Sequence, residues 1–454
     1  MPRSKKGKKG TSSKGSLRQE VLQLQLSGKS TPRSGRNGVK GESGVSDDDL
    51  ASDVLSHYSS ASECASVIDE GTGGGEVVDE QTAQEETEDK LKQCIDNVMD
   101  KSVKVRMSAL ESLRQAFSSR LLTDFLLERR LTLSDCLERC LRKGGGEEQA
   151  AAATVCALLC VQLGGGPEGE EGFKVLRPIL SAILIDDCAS LSARQSCARA
   201  LGMCCYVSSA EDAEDLLKSL GHLESVFSCV YPRAKGVMPA VKAGTPPLHT
   251  AALQAWALLI TLCPASHLNN LINHHLPLLQ ACLDSADVNF RIAVGETIAL
   301  LYELGRDIEQ DFDYEDSDSL CDALKSLATD GNKHRAKNDR RKQRSIFREV
   351  LQYIENEDFS EERIRFGVEA LYIDCWVRRR IYDAFKEVFE SGVRHHLQWN
   401  PLLRDIFGFG APLIPDPSVK VKISRTERHL YNSAAFKART KLRNKVRDKR
   451  ADVM

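Results

Sequence analysis

The sequence predicts a mainly α-helical protein whose centre is a stack of similar helix pairs, followed by a small, mostly helical domain. Three observations predict it. From Glu86 onward, apolar residues recur at helical spacing in one amphipathic stretch after another. Inside those stretches a short signature repeats at a nearly constant interval. After Tyr302 the signature stops and a different texture begins.

The signature appears five times: Arg106 in VRMSALESL, Gln149 in EQAAAATVC, Arg194 in ARQSCARAL, His249 in LHTAALQAW and Arg291 in FRIAVGETI. A polar residue is followed by a small residue three later, and by an apolar or Cys residue four after that. The separations are 43, 45, 55 and 42 residues. Armadillo and HEAT units run at about 40–47 residues, so the expected fold of this part is an armadillo/HEAT-like helical repeat superhelix. The one long interval contains YPRAKGVMPAVKAGTPP, whose Pro and Gly content marks an inserted loop. Small residues let helices approach, larger apolar ones fill the layer between repeats, and no repeat buries its own face alone.

Before the repeats, residues 1–85 are rich in Ser, Gly and Lys and then in Asp and Glu, with almost no aromatics. They lack the apolar area to offset ordering entropy and are expected to be disordered. The repeat domain is expected over 86–330. Beyond it, eight acids lie between Asp307 and Asp322, and then eight Lys/Arg against one acid between Lys333 and Arg348. That basic run leads into Phe347, Val350, Leu351 and Ile354 at helical spacing. RIRFGVEALYIDCW reads as two short strands, a β-hairpin, with alternation at Ile364, Phe366 and Val368. RRIYDAFKEVFESG returns to helix, with Ile381, Phe385, Val388 and Phe389 on one face and Gly392 past its end. A compact C-terminal domain over 333–418 accounts for these elements.

Residues 419–454 are expected to form a terminal basic helix. SRTE at 424–427 fits a capping box, with Ser424 as cap and Glu427 reaching back. Leu430, Ala434, Ala438, Leu442 and Val446 give a thin apolar stripe, too narrow for a packed globular helix. Around it stand Lys437, Arg439, Lys441, Arg443, Lys445, Arg447, Lys449 and Arg450. Cations on all sides repel one another, so such a helix needs surroundings that are negative on several sides. A phosphate-lined channel provides them and a single flat protein surface does not.

The formal net charge of −3 conceals this segregation. Residues 1–40 hold eleven Lys/Arg and one acid, residues 41–100 two Lys and seventeen acids, and residues 420–454 twelve Lys/Arg and three acids. Tails of opposite sign point to different partners. The fifteen cysteines fall largely inside helical apolar patterns, such as Cys136 with Cys140 and Cys156 with Cys160. That usage belongs to a reducing compartment, the cytosol or nucleus. No run of 18 apolar residues exists, and the basic N-terminus has no apolar stretch behind it, so neither membrane span nor secretory signal is expected.

No catalytic constellation is legible. The Gly triplets at 73–75, 144–146 and 164–166 lack the context of a phosphate cradle. There is no C-x-x-C, and Cys204–Cys205, His274–His275 and His395–His396 lack the chain spacing of a zinc site. No enzyme, cofactor or small-molecule substrate is therefore expected. The legible chemistry is anion binding by two basic elements. One is Lys333, Arg335, Lys337, Arg340, Arg341, Lys342 and Arg344; the other is the set from Lys437 to Arg450.

Several long stretches carry a resemblance. LATDGNKHRAKNDRRKQRSIFREVL, LYIDCW, YDAFKEVFESG, LLRDIFGFG and KISRTERHLYNSAAFKARTKLRNKVRDKRADV resemble the interferon-related developmental regulator family. LLTDFLLERRLTLSDCLERCLRKG and VNFRIAVGETIALLYELGRDIE are similar to its N-terminal helical part. The resemblance covers about residues 76–454. It implies an armadillo-type domain, a C-terminal family domain and no enzymatic activity. For the branch that VVDEQ and LQAWALLITLCP resemble more closely, it implies a ribosome-binding, cytoplasmic repressor of translation. Such a protein occupies the P and E sites of inactive ribosomes and places its C-terminal helix in the mRNA exit channel. In that reading Lys437–Arg450 fill the channel and Lys333–Arg348 make a second contact with ribosomal RNA. The competing expectation is a nuclear transcriptional co-regulator or adaptor, with protein partners held on the concave face of the repeats.

Overall fold

The computed structural model describes residues 80–413, apart from 209–212, 234–236 and 332–335. Residues 1–79, Lys333, Arg335 and the expected basic helix over 419–454 lie outside the described residues; residues 80–85, expected to be disordered, instead open the first helix. The described residues up to Pro412 belong to one compact unit.

Twelve helices form six antiparallel pairs among the described residues: α1 (Glu80–Asn97) with α2 (Val103–Ser119), α3 (Thr123–Lys143) with α4 (Gly146–Leu163), α5 (Pro167–Ile185) with α6 (Leu191–Ser208), α7 (Ala213–Phe227) with α8 (Pro246–Ile260), α9 (Ala265–Cys282) with α10 (Val288–Ile308), and α11 (Ser317–Thr329) with α12 (Lys337–Asn356). The second helices pack on one another in the order α2, α4, α6, α8, α10, α12, and the first helices α3, α5 and α7 form a parallel outer row. This is the armadillo-type superhelix that the repeat spacing predicts.

The repeat signature has a mechanical explanation. Each signature residue is the fourth residue of a second helix, next to the end of the first helix of its pair. The last carbonyls of a helix lack intrahelical donors. Gln149 donates to Leu141 O at 2.9 Å, Arg194 Nε to Leu184 O at 2.9 Å, and Arg291 Nη1 to Ser285 O at 2.7 Å. Arg106 Nη1 meets Asp100 O and Lys101 O at 2.9 and 3.0 Å. His249 reaches the end of α7 indirectly: its Nε2 lies 3.4 Å from the Cys229 thiol, which donates to Val226 O at 3.0 Å. The two residues that follow in each signature are core: Ala109, Ala152, Cys197, Ala252 and Val294, then Leu113, Cys156, Leu201, Trp256 and Ile298, are all buried.

The sixth pair, α11 with α12, stacks on α10 although the signature as read from the sequence ends before it. Arg340 is the fourth residue of α12, followed by Gln343 and then Phe347 at the same offsets. Gln343, buried to 1%, replaces the small residue and accepts from Arg291 Nη2 of the preceding repeat. Phe347 is fully buried over Gly295; a Cβ on that glycine would lie 2.6 Å from Phe347 Cε1. Alanine is better than glycine in a helix by about 1 kcal/mol, yet here it would push a ring out of a closed layer. Gly295→Ala should therefore destabilise by about 1–3 kcal/mol, read from the urea midpoint.

The cysteines behave as small apolar residues. The fourteen described ones are all thiols, mostly buried, and burial pushes Cys140, Cys197 and Cys263 up to about 12.

After α12 come the strands β1 (Glu362–Phe366) and β2 (Glu369–Ile373), paired antiparallel with Arg363 opposite Tyr372 and Arg365 opposite Ala370. The expected hairpin is present. Val368 does not continue the alternation, however: it sits in the turn beside Gly367 and is exposed, because Phe366 already pairs with Glu369. Gly367 has φ +53, a value that favours glycine. Helices α13 (Trp376–Phe389), α14 (Val393–Trp399) and α15 (Pro401–Ile406) complete the described fold.

Helix α13 lies across the row of second helices and contacts α2, α4, α8 and α10. It starts at α10, where the buried Glu303 carboxylate accepts from the backbone of Trp376 at 2.6 Å and Val377 at 3.3 Å. A carboxylate at a helix N-terminus satisfies otherwise unpaired N–H groups and complements the helix dipole. Its apolar face seats Ile381, Phe385 and Phe389, and Phe385 meets Tyr206 of α6 edge to face at 6.2 Å. Its far end reaches α2, where Glu390 pairs with Arg114 at 2.6 Å.

Candidate nucleic-acid interface

Two exposed basic surfaces lie close together. The first is the outward side of α12. Phe347, Val350, Tyr353 and Ile354 face the array, and most of the cations lie earlier on the helix. Lys337, Arg341, Lys342 and Arg348 are exposed, while Arg340 and Arg344 are half-buried. Arg344 Nε donates to Arg340 O at 3.3 Å. Of the residues expected to touch RNA in this segment, Lys337, Arg341 and Lys342 thus stand outward. Arg340 occupies the repeat's signature place, and Lys333 and Arg335 are outside the described residues. So are Lys437, Arg439, Lys441, Arg443, Lys445, Arg447, Lys449 and Arg450.

The second surface is the outer face of the hairpin. Ile364, Phe366, Leu371 and Ile373 turn inward, which leaves Arg363, Arg365 and Tyr372 outward. The Arg363 guanidinium sits 5.4 Å above the Tyr372 ring. Arginine beside an exposed aromatic ring suits phosphate contact combined with base stacking. This set was not among the residues expected from sequence. The signal for it is the off-phase half of the alternation that predicts the strands.

Arg379 of α13 joins the two surfaces. It pairs with Glu349 of α12 at 2.7 Å and approaches Glu362 of β1 to 4.0 Å. The hairpin is held in turn by Arg404 of α15, which forms a two-pronged bridge to Glu369 at 2.8 and 2.9 Å.

Between α13 and the second helices a groove of about 440 Å³ remains, floored by Ala157, Ala200, Ala255 and Leu258. Arg114, Arg199 and Arg380 line it, but Glu387 of α13 and Glu390 just past its end face them, with Arg199–Glu387 at 3.8 Å and Arg380–Glu387 at 3.4 Å. The groove is therefore nearly neutral.

Beside it, Glu296 of α10 faces Asp383 and Arg380 of α13. Burial raises the Glu296 carboxyl to about 7, and Asp383 adds to this. A carboxyl whose folded pKa exceeds its unfolded value stabilises below the unfolded value and loses that contribution as pH rises to 7. Glu296→Gln should match the parent near pH 4 and exceed it at pH 8 by on the order of 2 kcal/mol, measured as urea midpoints across pH.

The family model described as interferon-related developmental regulator matches residues 54–355, and the one described as interferon-related protein conserved region matches residues 400–451. The chain belongs to the interferon-related developmental regulator family. It is similar to interferon-related developmental regulator 2 of Mus musculus, 56% identical over 87% of this chain and 91% of that one. It is also similar to interferon-related developmental regulator 1 of Homo sapiens, 50% identical over 90% of each chain. Among solved structures, an engineered protein aligns over 58% of this chain and 97% of its own at TM-score 0.37 and 14% identity. A designed armadillo repeat protein aligns over 57% and 99% at TM-score 0.36 and 19% identity. The fold assignment rests on the helix pairing, not on these two alignments. Among the described residues no helix is long and apolar enough to cross a membrane.

Proposed function

We propose that this protein is a non-enzymatic, ribosome-binding inhibitor of translation. It occupies the P and E sites of inactive ribosomes and lodges its basic C-terminal segment in the mRNA exit channel, blocking tRNA and mRNA by occupancy. The observation that carries this reading is the concentration of ten Lys/Arg against three acids in residues 425–454, nearly all of it inside the matched conserved region. A channel walled by RNA neutralises so dense a run of positive charge, and release of counterions from the phosphates drives the association. The outward cations of α12 and the Arg363–Tyr372 face supply further RNA contact. Binding of this kind positions the protein without reading bases. Sedimentation of cell extracts tests it: the protein should travel with 80S monosomes rather than polysomes, in the cytoplasm, and nuclease digestion of the RNA should release it.

A second reading, a nuclear co-regulator or adaptor holding a protein on the second helices, draws support from the groove beside α13. It predicts nuclease-resistant partners, and loss of binding on substitution of Gln254 or Arg199 with the C-terminal charge intact. The coverage of that face by α13 weighs against it.

A further inference from the structure

The outer sides of the fourth and fifth helix pairs bring three metal-type donors together. Glu224 near the end of α7, and His274 and His275 on α9, place one donor atom each within 4.8 Å of the others. His274 is exposed, Glu224 half-buried and His275 fully buried. Neighbouring positions on a helix diverge by about 100°, so two adjacent histidines rarely serve one site. Here their rings converge edge to face at 4.7 Å. Pro277 helps, since it lacks the N–H that would bond the carbonyl of Asn273 and so loosens the turn carrying both rings.

The two nitrogens of His275 have different surroundings. Nδ1 lies 2.9 Å from the Tyr231 hydroxyl. Nε2 is buried with no hydrogen-bond partner, and the closest carboxylate oxygen, Glu224 Oε1, is 3.7 Å away. That is too long for a hydrogen bond. A charged pair is disfavoured because Phe227 and Trp256 enclose the ring. A buried polar atom with nothing to meet calls for an explanation such as an ion. Two ligands bound at about 2.0–2.1 Å to one tetrahedral zinc lie about 3.3–3.4 Å apart; His275 Nε2 and Glu224 Oε1 are 3.7 Å apart, and small side-chain adjustments bring all three donors, now within 4.8 Å, onto one ion. The Tyr231 contact fits as well: a metal-bound imidazole gives its other N–H to a neighbouring acceptor.

We propose that Glu224, His274 and His275 bind a zinc-class divalent cation that clasps α7 to α9, with Tyr231 orienting His275 and water completing the sphere. Two imidazoles and one carboxylate favour zinc, cobalt or copper over magnesium or calcium, which prefer oxygen alone. Chain spacing gives no hint of the site, because the third ligand is 50 residues before His274.

Cobalt(II) titrated into metal-free, full-length protein tests it. One equivalent should produce visible ligand-field bands without thiolate charge transfer, which separates this site from the fifteen cysteines. Zinc should displace the cobalt and magnesium should not. Glu224→Gln and His274→Ala, both outside the core, should each weaken binding by at least about a hundredfold, and Tyr231→Phe by about 10- to 100-fold, with far-ultraviolet dichroism unchanged. No binding, a thiolate band, or affinity unchanged in Glu224→Gln and His274→Ala would overturn the assignment.

Discussion

Removal of residues 425–454 is expected to abolish co-sedimentation with 80S monosomes, the largest functional effect of any change considered. The segment carries ten of the chain's 62 Lys/Arg. If it engages about six phosphates in the intact chain, affinity falls by about three decades between 50 and 200 mM salt. The truncated chain should retain only the shallow salt dependence of the α12 and hairpin cations. Folding should survive the deletion, since the compact unit ending at Pro412 has its own core. Unchanged melting with lost sedimentation separates a binding defect from a folding defect. Unchanged sedimentation would refute the role given to the segment.

Arg404→Ala is expected to produce the largest loss of stability, about 3–5 kcal/mol. Arg404 is 3% exposed and Glu369, its bidentate partner, is also enclosed, with 10% of its side chain accessible. The same guanidinium donates to the carbonyls of Leu397, Gln398, Gly410 and Ala411. Its removal leaves a buried carboxylate and four carbonyls without that donor at once. Truncating Glu369 as well should recover part of the loss, because the uncompensated charge goes with it. Urea unfolding of the single and double variants measures this, and proteolysis within the hairpin should accelerate in Arg404→Ala.

The repeat array was legible because its signature obeys local mechanics: a donor at the fourth position of one helix and open carbonyls at the end of another. Any residue able to donate there suffices, which is why Gln149 and Arg194 serve alike. The sixth repeat was hidden because Gln343 replaces the small residue and spends its polar groups on Arg291, Leu327 and Asp330. Period-two alternation located the hairpin, and its other half contains Arg363, Arg365 and Tyr372. What periodicity cannot convey is which surface an amphipathic helix covers. Helix α13 required a seat for its apolar stripe and a partner for its N-terminus, but Tyr206 and Glu303, which provide them, lie 170 and 73 residues before Trp376. The Glu224–His274–His275 cluster was illegible for the same reason.

The central claim is that anionic polymer encloses the last thirty residues. Site-specific photocrosslinkers at Arg443 and Arg447, in ribosomes isolated with the protein, test it most directly. The account predicts adducts to ribosomal RNA at the mRNA exit channel from both positions. Adducts to protein alone, with no RNA recovered, would contradict it.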